Sequence, residues 1–241
     1  MRPGTLYGIG VGPGDPDLIT VKAAKILAGC SHVFVPVSRQ GTDSLALAIA
    51  RDHINPQARI HEILFPMTTD RSELHARWEH SAHAVAEVLE TGVDACFLTL
   101  GDTLLYSTYI YLLQALRSRI SELRVVTVPG ITAFSAAAAL ADFPVGQAKE
   151  PVTIIPTSDD LDAVKNALDM GGTVVLMKIG KRLSRILEIL EKTGNMDRAI
   201  FVSHAGMEKQ QIETDLRNLK TQNPEQGYLS IILVHARTQE A

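Results

Sequence analysis

The chain has 241 residues, 46% hydrophobic and 21% charged, with 23 basic and 27 acidic side chains and a formal net charge of −4. At about 150 residues per domain, that length holds one large domain or two small ones, and charge spread evenly along it leaves no basic arm or acidic tail to meet a nucleic acid. Cys30 and Cys96, with no CxxC spacing, argue against a zinc site or a disulfide framework and fit a reducing cytoplasm. No run of about 18 uninterrupted apolar residues is present to span a membrane. The opening MRPGTLYGIGVGPGDP has glycines and prolines where a signal peptide needs a continuous apolar stretch.

In chain order, short apolar runs alternate with stretches of helical period, which predicts crossover connections and a parallel sheet. TLYGIGVG, HVFVPV, RIHEILF, ACFLTL and RVVTV read as five strands, with helices near 20–29, 43–52, 70–91 and 107–120 between them. Thr20 is placed to cap the first helix and Gly29 to end it with a positive φ. After Val128, PGITAFSAAAALADFP turns sharply and becomes an alanine-rich helix, so the domain boundary is set there, giving domains 1–128 and 129–241. VTIIP, TVVLMKI, RAIFVSHA, KQQIETD and LSIILVHAR read as five further strands, with helices near 159–169 and 181–193. Two strand-like runs around Gly206 with no helix between them predict a hairpin. The expected class is α/β in two domains, a mostly parallel five-stranded sheet followed by a mixed one.

Gly10, Gly12, Pro13, Gly14, Asp15 and Pro16 directly follow the first strand, where glycines permit a tight turn and close approach of a ligand to the main chain. A dinucleotide loop does not fit. Pro13 and Pro16 lack N–H groups to cradle phosphate, the spacing is not GxGxxG, and HVFVPVSR supplies no acidic residue for a ribose. GxxxxGK[ST] is also absent, and KIGKRLS reads as the cap of a helix. One such loop is as readily a structural turn, but two more follow the fourth and fifth strands: Leu100, Gly101, Asp102, Thr103 and Pro129, Gly130, Ile131, Thr132. Three small-residue loops at the carboxyl ends of strands in one sheet point to a ligand crevice.

GVGPGDPDLITVKAAKIL, GDTLLYSTYIYL and VPGITAFSAAAA closely resemble the tetrapyrrole (corrin/porphyrin) methylases, and the likeness runs over nearly the whole chain. GDTLLYSTYIYL and the closing GYLSIILV are similar to the branch that methylates carbon 20 of precorrin-2 or cobalt-factor-2 in cobalamin biosynthesis. The resemblance implies a two-domain cytoplasmic methyltransferase, usually a homodimer, with S-adenosylmethionine folded into a cleft between its domains. Carried over by position, the cofactor contacts are Pro36, Gly101, Asp102, Thr103, Ser107, Thr108, Ile131, Thr132 and Ala133, with Met177, His204 and Ala205 closing the adenine side. Gly12, Pro13, Gly14 and Asp15 fall on the tetrapyrrole side.

A sulfonium methyl is already activated, so the implied chemistry needs alignment of donor and acceptor, then removal of a proton from carbon 20. Asp102 is the first candidate for a catalytic or substrate-orienting role, against the alternative that it only accepts from backbone N–H groups. Tyr228 could orient substrate or assist the proton transfer, or simply edge a strand, and His204 could act as a base or sit hydrogen-bonded in the core. A polycarboxylate substrate calls for cations, for which Arg39, Lys178 and Lys209, with Lys181 and Arg182, are the candidates against an ordinary role as surface charges. His75, His80 and His83 read as solvent-facing helix residues, so no metal site is expected and cobalt, where present, arrives inside the substrate. Other methylases of the same family remain open, as do an NADP-linked oxidoreductase using Arg39 and a non-catalytic sensor.

Overall fold

The computed structural model describes residues 2–37, 43–65, 71–219 and 226–237. The chain divides into two compact units, Met1–Thr132 and Ala133–Ala241. The turn at 129–132 therefore belongs with the first unit, whereas the sequence pattern places it at the start of the second.

The first unit carries five parallel strands, β1 (Thr5–Gly10), β2 (His32–Val37), β3 (Arg59–Leu64), β4 (Ala95–Thr99) and β5 (Arg124–Val128), in the order β3-β2-β4-β1-β5. Helices α1 (Val21–Gly29), α2 (Leu45–Ala50), α3 (Arg71–Glu90) and α4 (Tyr109–Arg119) make the crossovers. All five residues of ACFLT in β4 are buried, as expected for an inner strand of a sheet covered on both faces. Ala82, Val85 and Leu89 of α3 and Leu112 and Leu116 of α4 pack with Leu6, Phe34 and Phe97, each large buried side chain contributing about 1.5–3 kcal/mol. Trp78 stacks flat on Tyr111, tying α3 to α4 at a centroid distance of 4.4 Å.

Thr20 caps α1 through the Ala23 N–H at 3.2 Å. Gly29, expected to end the helix in the left-handed region, is instead its last helical residue without a positive φ, and the extended Cys30 takes over. Cys30 and Cys96 are both buried and free. Distant in sequence, they meet in space, and the thiol hydrogen bond together with burial pushes the Cys96 thiol up.

The second unit begins with α5 (Ala133–Leu140) and contains β6 (Val152–Pro156), α6 (Asp162–Met170), β7 (Gly172–Met177), α7 (Leu183–Lys192), β8 (Ala199–Ser203), β9 (Gln211–Glu213) and β10 (Ser230–Ala236). Its sheet has the order β6-β7-β10-β8-β9, with β6 and β7 parallel and the remaining pairs antiparallel. The hairpin around Gly206 is β8–β9, in register Val202↔Ile212. Leu183, Ile186, Leu187 and Leu190 recur at i, i+3, i+4 and i+7 in α7 and are all buried, packing with Leu176, Phe201 and Ile232 of the sheet. KIGKRLS enters α7 through a short 3-10 turn, without a capping side chain.

β7 and β8 stop earlier than their apolar runs suggest. Lys178 (φ 57°) and His204 (φ 50°) adopt left-handed conformations that end the pleat directly after Met177 and Ser203, and Leu229 (φ 48°) does the same before β10 begins.

Gly8 lets Tyr109 of α4 lie across β1. A Cβ at Gly8 would sit 2.2 Å from the Tyr109 ring, whose hydroxyl is 3.0 Å from Thr127 Oγ1 and whose burial pushes its pKa up. Gly8→Ala is expected to destabilise the protein by about 1–3 kcal/mol through overpacking, read as a lower urea midpoint. An unchanged midpoint would mean that α4 shifts without cost.

Candidate functional site

Strand order in the first unit sets β4, β1 and β5 side by side, so the loops leaving their carboxyl ends adjoin. Three glycines allow these loops to touch through their main chains. A Cβ at Gly10 would lie 2.5 Å from Gly130 N and 2.8 Å from Gly101 O, and one at Gly130 would lie 2.1 Å from Gly101 O. Gly12 (φ 80°) and Gly101 (φ 72°) exchange N–H to carbonyl hydrogen bonds at 3.2 and 2.8 Å.

Asp102 fastens this arrangement. Its Oδ1 accepts from Leu104 N–H at 2.9 Å and its Oδ2 from Gly130 N–H at 3.1 Å, joining the loop after β4 to the one after β5. Thr103 is buried, with its hydroxyl 3.5 Å from the Val128 carbonyl, and the buried Ser107 donates to the Thr103 carbonyl. Thr108 precedes α4 without capping it through its side chain, and Pro36 is half-buried at the end of β2. Gly12, Pro13 and Gly14 are buried, while Asp15 Oδ1 accepts from Asp17 N–H at 2.9 Å and caps a short 3-10 turn. Leu18, Leu104, Tyr106 and Ile131 stand exposed on these loops, with Tyr106 left-handed at φ 51°. Thr132 and Ala133, both half-buried, lead into α5.

Backbone polar groups beside unburied apolar side chains suit a ligand with a flat, largely apolar body and a few hydrogen-bonding edges. The glycines that bring the loops together are compatible with a grip through the main chain.

A second cluster lies in the second unit, where β7 and β8 end and β10 starts at the same edge of the sheet. Met177 is buried and its carbonyl accepts from Thr157 N–H at 2.8 Å, while the Thr157 hydroxyl donates to the Lys178 carbonyl at 2.9 Å. A Cβ at Gly227 would lie 1.9 Å from Gly180 O, and Gly180 N–H donates to Gly227 O at 2.9 Å. His204 N–H donates to the Leu229 carbonyl at 3.0 Å, and its ring meets that of the half-exposed Tyr228 edge-on at 6.2 Å. Ala205 beside it is buried.

The remaining sequence candidates separate. Arg182 is held by Asp159 at 2.9 Å, which removes it as a free cation, whereas Lys181 and Lys209 are exposed. His80 and His83 face solvent, His83 lying 3.3 Å from Glu87 and 2.7 Å from Arg119, and no cluster able to hold a metal occurs among the described residues. Arg39 and the His75 side chain lie outside the described residues. The sequence reading missed Thr157 and the Gly180–Gly227 contact. A glycine in each of KIGKRLS and GYLSIILV was the only available signal.

The family model for the Tetrapyrrole (Corrin/Porphyrin) Methylases matches residues 5–220. The chain is 37% identical to the cobalt-precorrin-2 C(20)-methyltransferase of Salmonella typhimurium over 99% of both chains. It is 30% identical to the precorrin-2 C(20)-methyltransferase of a Sinorhizobium species, over 96% of this chain and 95% of that one. Among solved structures, a cobalt precorrin-4 methyltransferase superimposes with TM-score 0.75 at 21% identity, covering 95% of this chain and 94% of that one. A uroporphyrin-III C-methyl transferase from Thermus thermophilus, complexed with S-adenosyl homocysteine, superimposes with TM-score 0.61 at 19% identity over 96% and 97%. These two share the two-sheet α/β fold. No helix among the described residues is long and apolar enough to cross a membrane.

Asp102→Ala strands two backbone N–H groups, and at this half-exposed position a loss of about 1–2 kcal/mol is expected, with Asp102→Asn losing less because an amide oxygen still accepts. Urea unfolding reads the difference, and hydrogen exchange at Leu104 and Gly130 should accelerate in the alanine variant. Equal protection in both variants and the parent would show that the carboxylate fastens nothing.

Proposed function

Because the chain belongs to the tetrapyrrole (corrin/porphyrin) methylases, we propose that it transfers a methyl group from S-adenosylmethionine to carbon 20 of precorrin-2 or its cobalt-containing counterpart in cobalamin biosynthesis. The observation that carries this reading is the end-to-end likeness to a cobalt-precorrin-2 C(20)-methyltransferase. The three glycine loops converging at the carboxyl ends of β1, β4 and β5 support it. The alternative of an NADP-linked oxidoreductase gains nothing, since the loop after β1 has prolines and buried glycines where phosphate-binding N–H groups are needed.

S-adenosylmethionine, when bound, supplies a methyl group already activated on a positively charged sulfur. The chain contributes orientation, worth about 7–11 kcal/mol where reacting atoms are held in line. In our reading, the segment from Gly101 to Thr103, with Ser107, Thr108, Pro36, Ile131, Thr132 and Ala133, holds the donor in the first unit. In the same reading Gly12, Pro13, Gly14 and Asp15 shape the tetrapyrrole side, and Arg39, Lys178 and Lys209 are the cations assigned to its carboxylates. In the same reading Asp102 takes the orienting role, each of its oxygens accepting from a backbone N–H, at Leu104 and at Gly130. That leaves Tyr228, with His204 beside it, to attend the departing proton. We place the protein in the cytoplasm as a homodimer, which light scattering tests by mass.

Anaerobic incubation with carbon-13 methyl donor and each tetrapyrrole is expected to put the label on carbon 20, read by carbon-13 resonance; a label at another position would reassign the acceptor. Calorimetry should detect S-adenosylhomocysteine and not NADP, and binding of NADP alone would end the methylase reading. Asp102→Ala should slow turnover by at least about tenfold, and Tyr228→Phe by more than about twofold if its hydroxyl assists the proton.

A further inference from the structure

The chain's two cysteines meet at a seam of the first sheet. β1 pairs with β4 from Leu6↔Ala95 to Gly10↔Thr99, and β2 with β3 from His32↔Arg59 to Val37↔Leu64. Among the described residues, β2 and β4 pair only at Val33↔Cys96 and Phe34↔Phe97. Cys96 therefore lies in the narrowest join of the sheet, between β3-β2 on one side and β4-β1-β5 on the other. Cys30 comes from across that join, as the extended residue that closes α1 ahead of β2. Its Sγ lies 3.2 Å from the His32 carbonyl and 3.8 Å from the Asp94 carbonyl, and the two thiols hydrogen-bond to each other.

These thiols are not equivalent. Cys96 is wholly buried, whereas Cys30 keeps 5% of its surface and lies between the exposed Gly29 and Ser31. A Cβ on Gly29 would meet nothing within 4 Å, so the turn around Cys30 is open and Cys30 is the sulfur that a small solute reaches first. The hydrogen bond from the Cys96 thiol and main-chain hydrogen bonds at His32 and Cys96 bring Cys30 down to about 7. They do so against burial and the Asp94 carboxylate, which accepts from Thr5 N–H at 2.6 Å. A thiolate is the form that peroxides oxidise, and a second thiol in contact is what turns the oxidised product into a disulfide.

We propose that Cys30 and Cys96 form a reversible redox site, in which Cys30 takes an oxygen from a small hydroperoxide and Cys96 converts the product to a disulfide. The Cys30 thiolate attacks the peroxide: an S–O bond forms, the O–O bond breaks, and the departing oxygen takes up the proton that Cys30 gave off. A sulfenic acid and an alcohol result, or water where the oxidant is hydrogen peroxide. The Cys96 sulfur then attacks the Cys30 sulfur, an S–S bond forms, the S–O bond breaks, and the hydroxyl leaves as water with the Cys96 proton. The peroxide gains the two electrons that the thiols lose, and a dithiol reductant returns them. The bridge crosses the seam at the amino ends of β2 and β4, while Pro36 and the segment from Gly101 to Thr103 lie at their carboxyl ends. It fastens the sheet beneath the candidate site without entering it, and the proposal is independent of the methyltransferase reading.

The test treats the reduced, folded full chain with hydrogen peroxide or tert-butyl hydroperoxide, followed by thiol titration in denaturant and peptide mapping by mass spectrometry. Both thiols should be lost and a linked pair of peptides holding Cys30 and Cys96 should appear, lighter by two hydrogen atoms. Dithiothreitol should restore both thiols. The oxidised protein should have a higher urea midpoint, because the bridge restricts the unfolded chain; an unchanged or lower midpoint overturns the fastening of the seam. In Cys96→Ser the reaction should stop at a sulfenic acid on Cys30, trapped with dimedone, and in Cys30→Ser the Cys96 thiol should survive. Two thiols retained by the folded protein, under conditions that oxidise the urea-unfolded chain, overturn the proposal, as does a disulfide joining two copies. Should either serine variant fail to fold, brief oxidation of the parent with dimedone present decides: label on Cys30 ahead of Cys96 supports the proposal, and the reverse order overturns it.

Discussion

Main-chain contact between Gly10, Gly101 and Gly130 is the constraint on which the first unit's candidate site rests. A methyl group on Gly10 or Gly130 would overlap main-chain atoms at 2.1 to 2.5 Å, well inside any tolerable separation. Once the loops can touch, short hydrogen bonds hold them. Gly12 and Gly101 exchange N–H and carbonyl groups, and Asp102 bridges Leu104 to Gly130. Each bond to a carboxylate contributes about 1.5–3 kcal/mol when sheltered and less where water competes. The result is a surface made largely of backbone at the carboxyl ends of β4, β1 and β5.

The second unit reaches a comparable platform by a different route. Gly227 and Gly180 again approach without side chains between them, but the neighbouring strand ends carry Lys178, His204 and Leu229 in conformations that L-residues rarely adopt. Conformational cost there is offset by the packed sheet beneath, where Val174, Leu176, Phe201 and Ile232 are almost wholly buried. Side chains rather than bare main chain are thereby presented at this edge.

Several features were legible because they are local. Among the described residues, apolar runs and helical periods located the ten strands and seven α-helices, Thr20 announced a cap, and the lack of a helix around Gly206 announced the hairpin. Where local reasoning went astray, a neighbour distant in sequence had intervened. Gly29 is the exception, since Cys30 directly after it leaves the helix extended and no left-handed turn is needed. Arg182 looked like a free cation until Asp159 was found beside it. Cys30 and Cys96 looked solitary although their thiols meet.

By itself, then, the sequence determined the alternation of elements, the mixed character of the second sheet and the three loops of glycine and small residues, since periodicity and turn chemistry depend on residues a few positions apart. Strand order was decided only by the tertiary structure. Nothing in five apolar runs dictates that β1 lies between β4 and β5, because every order buries similar side chains. The choice follows from which backbones approach closely enough to require glycine, and from which polar groups, such as Asp102, then find their hydrogen-bond partners.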